Sequence, residues 1–254
     1  MTVSVCYITA FNHQYRNETL TAILQYTPPN TELIFLKNGI NLPFTPPRGK
    51  ILESIITLGI PEARQYCCDN ATHDMILWID DDITVCPDYI DNFLAPFLVD
   101  NDIAISGYEG AVTNDSFTTQ WYVDPLEVEA DYFDPPYAIR KSILDMLGGY
   151  DLNIGRYGCD NTDLCLRVIK ADYKLFPIVN PGIVHWRESS KYAIGETRCD
   201  LFSETQKNII YLQSKHRQDW RARYGMEKPP FMVRPELQFP RKMKRTSGPE
   251  IIRI

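Results

Sequence analysis

Three consecutive carboxylates, Asp80-Asp81-Asp82, close a short apolar run from Met75 to Ile79 in this chain of 254 residues. Like charges crowded at the end of a buried segment repel one another and are costly to desolvate unpaired. A hard divalent cation held by oxygen ligands resolves that conflict. A solvated acidic turn is the alternative. The apolar run reads as a buried strand, and open α/β sheets bind ligands beyond the carboxyl ends of their strands. Location therefore favours a metal site. A second acidic group, Asp160 to Asp163, opens a segment with Leu164, Cys165, Val168 and Ile169 on one helical face. There an acid serves either as helix cap and dipole partner or as a reactive carboxylate.

The elements that must carry these groups follow from periodicity. Val3 to Ala10 is a β-rich apolar stretch, and Asn17 to Tyr26 places Leu20, Ile23 and Leu24 at helical spacing. Thr27-Pro28-Pro29 ends that helix. Glu32 to Leu36 reads as a second strand, followed by the turn Lys37-Asn38-Gly39. Strand, helix, strand is the rhythm of a parallel sheet. A helix is expected from Lys50 to Leu58, and another from Pro61 toward Cys68, leading into the acidic strand. Further on come a helix from Pro87 to Leu98 and a strand from Ile103 to Gly107. Between Tyr108 and Pro136 the pattern weakens and aromatic residues gather (Phe117, Trp121, Tyr122, Tyr132, Phe133). That region is either the cover of a cleft or a loosely patterned core. A strand from Leu175 to Val184 is interrupted at Pro181-Gly182, and a long polar helix from Glu204 to Tyr224 follows the polar linker Glu188 to Arg198. The linker is expected to close over a bound ligand.

Composition bounds the function. A 44% hydrophobic chain of this length builds a substantial core. A net charge of −7 argues against a general nucleic-acid coat protein. Seven cysteines, an odd number without a paired Cys-x-x-Cys motif, read as reduced thiols in a cytoplasmic setting. No apolar run reaches the roughly 20 residues of a membrane span. One domain over residues 1–225 is expected, followed by a Pro-rich basic tail over 226–254.

Taken in order, these segments resemble a family-2-like glycosyltransferase of the GT-A fold, from about Val3 to Trp186. Thr9-Ala10-Phe11-Asn12-His13 stands where the family has a Thr-Tyr-Asn-Arg-like turn, here one residue longer and lacking the Arg. Lys37-Asn38-Gly39 replaces Asp-Asn-Gly. Ala63-Arg64-Gln65 matches Ala-Arg-Asn, and Asp80-Asp81-Asp82 matches the Asp-x-Asp signature. Gly148-Gly149-Tyr150-Asp151 matches Gly-Gly-Phe-Asp, and Asp160-Asn161-Thr162-Asp163-Leu164 matches Glu-Asp-x-Asp-Leu.

The resemblance implies an α/β, Rossmann-like sheet, mixed but mostly parallel, flanked by helices. It also implies a nucleotide-sugar donor, expected to be UDP-linked, and a Mn²⁺ or Mg²⁺ cofactor. Asp80, Asp82 and His185 are then the expected metal ligands, with His185 otherwise structural. Donor contacts fall to Thr9, Phe11, Asn12, Asn38, Arg64, Asp80, Asp81, Gly149 and Tyr150. Arg64 offers a fork to phosphate or ribose, or else pairs at the surface with Glu62 or Asp69. Gly148-Gly149 either admits the donor sugar or makes a plain tight turn. Asp160 is the expected general base, because Asn161 stands where inverting relatives keep the acid. A retaining mechanism is the rival. The acceptor is expected to be a saccharide hydroxyl. Transfer to a hydroxylated DNA base, gripped by the basic tail, is the alternative, and a binding module without turnover is another.

Overall fold

A computed structural model describes residues 1–9, 16–39, 45–108, 136–178, 181–185 and 198–216. The first strand, β1 (Val3–Thr9), lies third in a seven-stranded sheet. The chain leaves it through helix α1 (Arg16–Tyr26) to β2 (Glu32–Asn38), then reaches β3 (Lys50–Ser54) at the sheet edge. Helix α2 (Ile60–Asn70) carries it back to β4 (Met75–Asp80) on the other side of β1. The strand order is β3-β2-β1-β4-β7-β6-β8, with β6 at Ile103–Tyr108, β7 at Tyr137–Arg140 and β8 at Lys174–Ile178. Only β7 runs against its neighbours. The expected mixed, mostly parallel sheet is the one observed. Because the chain steps from β1 to opposite sides, the β1–β4 crevice is the topological switch point where such sheets bind ligands.

Side-chain alternation divides the core into two layers. On β1 and β4, Cys6, Ile76 and Trp78 enter one layer with Ala63 and Cys67 of α2. The same layer takes Leu144 of α5 (Lys141–Met146) and Leu164 of α6 (Asp160–Lys170). Val5, Tyr7, Leu77 and Ile79 enter the other layer with Leu20 and Ile23 of α1. There they also meet Tyr89 and Phe93 of α3 (Tyr89–Leu94) and Phe97 of α4 (Pro96–Val99). A two-stranded sheet, β5 (Ile83–Val85) with β9 (Ile183–His185), stands beside the acidic turn. Helix α7 (Arg198–Lys215) closes the described chain. Among the described residues no helix is long and apolar enough to cross a membrane.

Three expectations change. Lys50 to Leu58 is not a helix: Ile51 and Leu52 pair with Phe35 and Leu36 on the open edge of β2, and Ile55 and Ile56 stand exposed beyond. The expected helix from Pro87 to Leu98 is two short helices, because Pro96 has no N–H to continue α3. The strand expected from Leu175 to Val184 is two strands, β8 and β9, that join different sheets. Phe11, Asn12, the aromatic residues of 109–135, the linker over 188–197 and the basic tail lie outside the described residues.

Candidate active site

Strand register brings the candidate residues to one edge. Thr9 pairs with Lys37, beside Asn38, and Ile8 pairs with Asp80. Asp80 is the last residue of β4 and keeps the alternation of Trp78, so it faces the α2–α6 layer. Asp81 turns the other way, and its carboxylate accepts a hydrogen bond from Thr9 Oγ1 at 3.1 Å. That contact crosses the switch-point crevice. Asp82 is buried and leads directly into β5. His185 pairs with Ile83, so the backbone sets its register one residue past Asp82.

The electrostatics of the turn are unbalanced. Burial, then Asp82 and Asp80, push the Asp81 carboxyl up to about 8, against the lowering effect of Thr9. Among the described residues no group of three or more His, Cys, Asp or Glu side chains forms a ready-made metal cage. The two observations agree with one kind of cation. A metal held by one or two carboxylates, with substrate phosphates completing its shell, needs no full protein cage. The residues present fit such a metal, with Asp80 and Asp82 as the carboxylates.

On the other face Arg64 organises the site. It lies mid-way along α2, a helix entered through Pro61 and closed at its N-terminus by Glu62, whose Oε2 accepts from Gly59 N–H at 3.0 Å. Arg64 is 2% exposed. Its guanidinium pairs with Asp160, donates to Asn161 Oδ1, and stands 3.7 Å from Asp80. Trp78 and Tyr137, paired across β4 and β7, hold it between their rings at 5.9 and 6.0 Å. Burial opposes the Arg64 charge, but Asp160 and then Asp80 outweigh burial and shift its pKa upward. Glu62 and Asp69, the surface partners expected for Arg64, are used elsewhere, Asp69 by Gln65 at 2.7 Å. One guanidinium thus joins the metal-side turn to the start of α6.

That helix start is built by two left-handed residues, Gly158 (φ 83°) and Cys159 (φ 73°). They turn the chain so that Asp160, Asn161, Thr162 and Asp163 all point inward and are buried. Asp160 meets the α2 arginine there, in the first turn, where the helix dipole favours an anion. Asp163 goes to the opposite side and accepts from Arg167, Lys215 and His216 at 2.8, 2.6 and 2.7 Å. Asn208 of α7 ties down Gly155, Tyr157 and Gly158. Helix α7 therefore fixes the loop that delivers Asp160.

Other expected donor contacts have partners within the fold. Asn38 clamps the backbone of Leu58, giving one hydrogen bond at 3.0 Å and accepting one at 2.7 Å. Gly148 and Gly149 (φ 82° and 76°) reverse the chain after α5, with Gly149 N–H donating to Leu144 O. A side chain at Gly149 would strike Gln65, which accepts from Tyr150 N–H at 2.9 Å. The Tyr150 ring is buried against Trp78, and its hydroxyl bonds that of Tyr137. Tyr137 in turn donates to Asn161 at 3.2 Å. Sequence reasoning missed Tyr137, His216 and Lys215. Local spacing holds no signal for them, since only strand pairing and helix docking bring them to the site.

The likeness to known proteins agrees with this geometry. Over residues 5–147, more than half of the chain, the sequence matches the model of glycosyl transferase family 2. That span holds Thr9, Asn38, Arg64 and the acidic turn, and ends one residue before Gly148. No curated protein matches. The fold is similar to that of GalNAc-T7 with UDP, GalNAc and Mn²⁺ (TM-score 0.59, 14% identity, 73% of this chain and 43% of that one). It is also similar to the mannosyltransferase PcManGT from Pyrobaculum calidifontis with GDP-Man and Mn²⁺ (TM-score 0.58, 16% identity, 72% of this chain and 56% of that one). The same holds for TarS of S. aureus, residues 1–349 (TM-score 0.57, 11% identity, 94% and 76%). The chain thus spans about half the length of the first two solved structures. With the matched segment holding the acidic turn and its arginine, this chain belongs to glycosyl transferase family 2.

Proposed function

We propose that this glycosyltransferase moves a sugar from a nucleoside-diphosphate sugar to an acceptor hydroxyl, saccharide by class, with inversion at the anomeric carbon. Asp80 and Asp82 would hold a Mn²⁺ or Mg²⁺ ion, with His185 entering the same shell from β9. When bound, the cation would neutralise charge on the departing diphosphate. The chain's own residues supply the rest. Asp160 accepts the proton of the acceptor hydroxyl as that oxygen bonds to the anomeric carbon. The bond from that carbon to the diphosphate oxygen breaks, and the diphosphate leaves with the electron pair. Arg64 holds Asp160 in place, and Thr9 orients Asp81.

The observation that carries the reading is the single guanidinium shared by Asp80 and Asp160. It supports a metal-side carboxylate and a proton acceptor facing one reaction centre, as displacement requires. The neighbours carry two different nucleobases, UDP in one and GDP-Man in the other. The test is therefore a thermal-shift series with UDP, GDP and their sugars, each with and without Mn²⁺. A ligand that binds the native state raises the melting temperature. Asp82→Ala should abolish the Mn²⁺-dependent part of that rise and keep the fold. If Asp82→Ala binds nucleotide with Mn²⁺ as wild type does, the metal assignment is wrong.

A further inference from the structure

Two arginines flank the acidic turn from opposite faces of the sheet, and they are not equivalent. Arg64 has an orphaned buried Nε of its own, but its other nitrogens meet Asp160, Asn161 and Asp80. Arg16, the first residue of α1, is 6% exposed, yet its Nε is buried without a hydrogen-bond partner, and among the described residues no carboxylate pairs with it. A guanidinium removed from water without a partner is expensive. The acid of that turn of α1, Glu18, is exposed.

The surroundings show where the charge lies. Tyr7, Thr9 and Arg16 belong to the face of β1 that Asp81 turns toward, and α1 packs against β5, the strand that follows Asp82. The Tyr7 hydroxyl, in the layer that α1 covers, bonds Thr9 and lies within electrostatic reach of Asp81, Arg16 and Asp82. Thr19 Oγ1, one helical turn beyond Arg16, is also buried without a partner. The N-terminus of an 11-residue helix adds N–H groups with no intrahelical acceptor. The Arg16 Nε–H and the free helix N–H groups can only donate, which suits an anion.

We propose that Arg16 binds the diphosphate of the nucleotide sugar, receiving it at the N-terminus of α1 on the sheet face opposite Arg64. The inference rests on the donor reading above and adds one residue to that site. The guanidinium fork meets phosphate oxygens with paired, charge-assisted hydrogen bonds. The acidic turn and its cation approach the same group from the β4 side.

The test uses the full chain and calorimetric titration in Mn²⁺. The probes are whichever of UDP or GDP stabilises the wild type, and the matching free nucleoside. Arg16→Met, folded by circular dichroism, should weaken diphosphate binding about tenfold or more, the size of a lost charge-assisted hydrogen bond. Nucleoside affinity should stay unchanged. Should Arg16→Met not fold, Arg16→Gln serves the same comparison. Wild-type diphosphate affinity in the variant, or equal losses for diphosphate and nucleoside, overturns the assignment. A wild type that binds neither UDP nor GDP refutes the donor reading itself, a failure seen before any variant is made.

Discussion

A buried carboxylate that must take a proton has to be held still without being smothered. Asp160, the base in the reading proposed above, is held by one arginine at the first turn of a helix. Two substitutions separate its roles. Asp160→Asn keeps the shape but cannot accept the proton, so turnover should fall by about 10² or more while nucleotide and Mn²⁺ still bind. Single-turnover assays with parallel titrations measure both. NMR of the product's anomeric centre should show inversion, and retention would remove Asp160 as base. Arg64→Met, by contrast, takes the guanidinium away from Asp160 and Asn161. It should cost about 3 kcal/mol or more in urea unfolding, as for a broken buried pair. At this scale the acidic turn was legible because three adjacent carboxylates admit few explanations. The inward course of Arg64 was not, because a helix in sequence does not declare which face it buries when polar Gln65 and apolar Ala63 flank the charge.

Elements carry the site through their ends. The double glycine after α5 is a contrast within one turn, because both residues are left-handed but only Gly149 is crowded. Gly148→Ala should cost about 1–2 kcal/mol, the left-handed penalty of an L-residue. Gly149→Ala should cost clearly more, since its Cβ would displace Gln65 and the hydrogen bond to Tyr150. Equal losses in paired urea melts would contradict this account. The β1-α1-β2 rhythm was legible because apolar spacing changes from two to helical and back. The Lys50 stretch misled because Lys-Ile-Leu-Glu-Ser is too short for period to decide. What made it a strand was the vacant edge of β2, a partner distant from that local window.

For the molecule as a whole, α7 makes the candidate site depend on distant contacts. Its last residues meet Asp163 and Asp151, and Asn208 ties the loop before Asp160. Burial works to raise the Asp163 pKa, but His216, Arg167 and Lys215 outweigh it, and the net shift is downward. A depressed carboxylate stabilises the fold fully above its unfolded pKa, near about 3.9, and that gain is lost as pH falls through the folded value. Asp163→Asn should therefore cost about 2 kcal/mol or more at pH 7. The difference from wild type should shrink steadily below about pH 4. A gap that is constant with pH would place the loss in packing instead. None of this docking was legible beforehand, because Asp163 and His216 are 53 residues apart and no periodicity links them.

The Arg64–Asp160 pair also limits how this sequence can drift. Either residue replaced alone takes from a buried charge its nearest counter-charge, while both replaced together by apolar groups can restore stability at the cost of the proposed base. Descendants under selection for activity should keep the two as a unit. Those released from it should lose both in close succession, so position 64 reports on the fate of position 160.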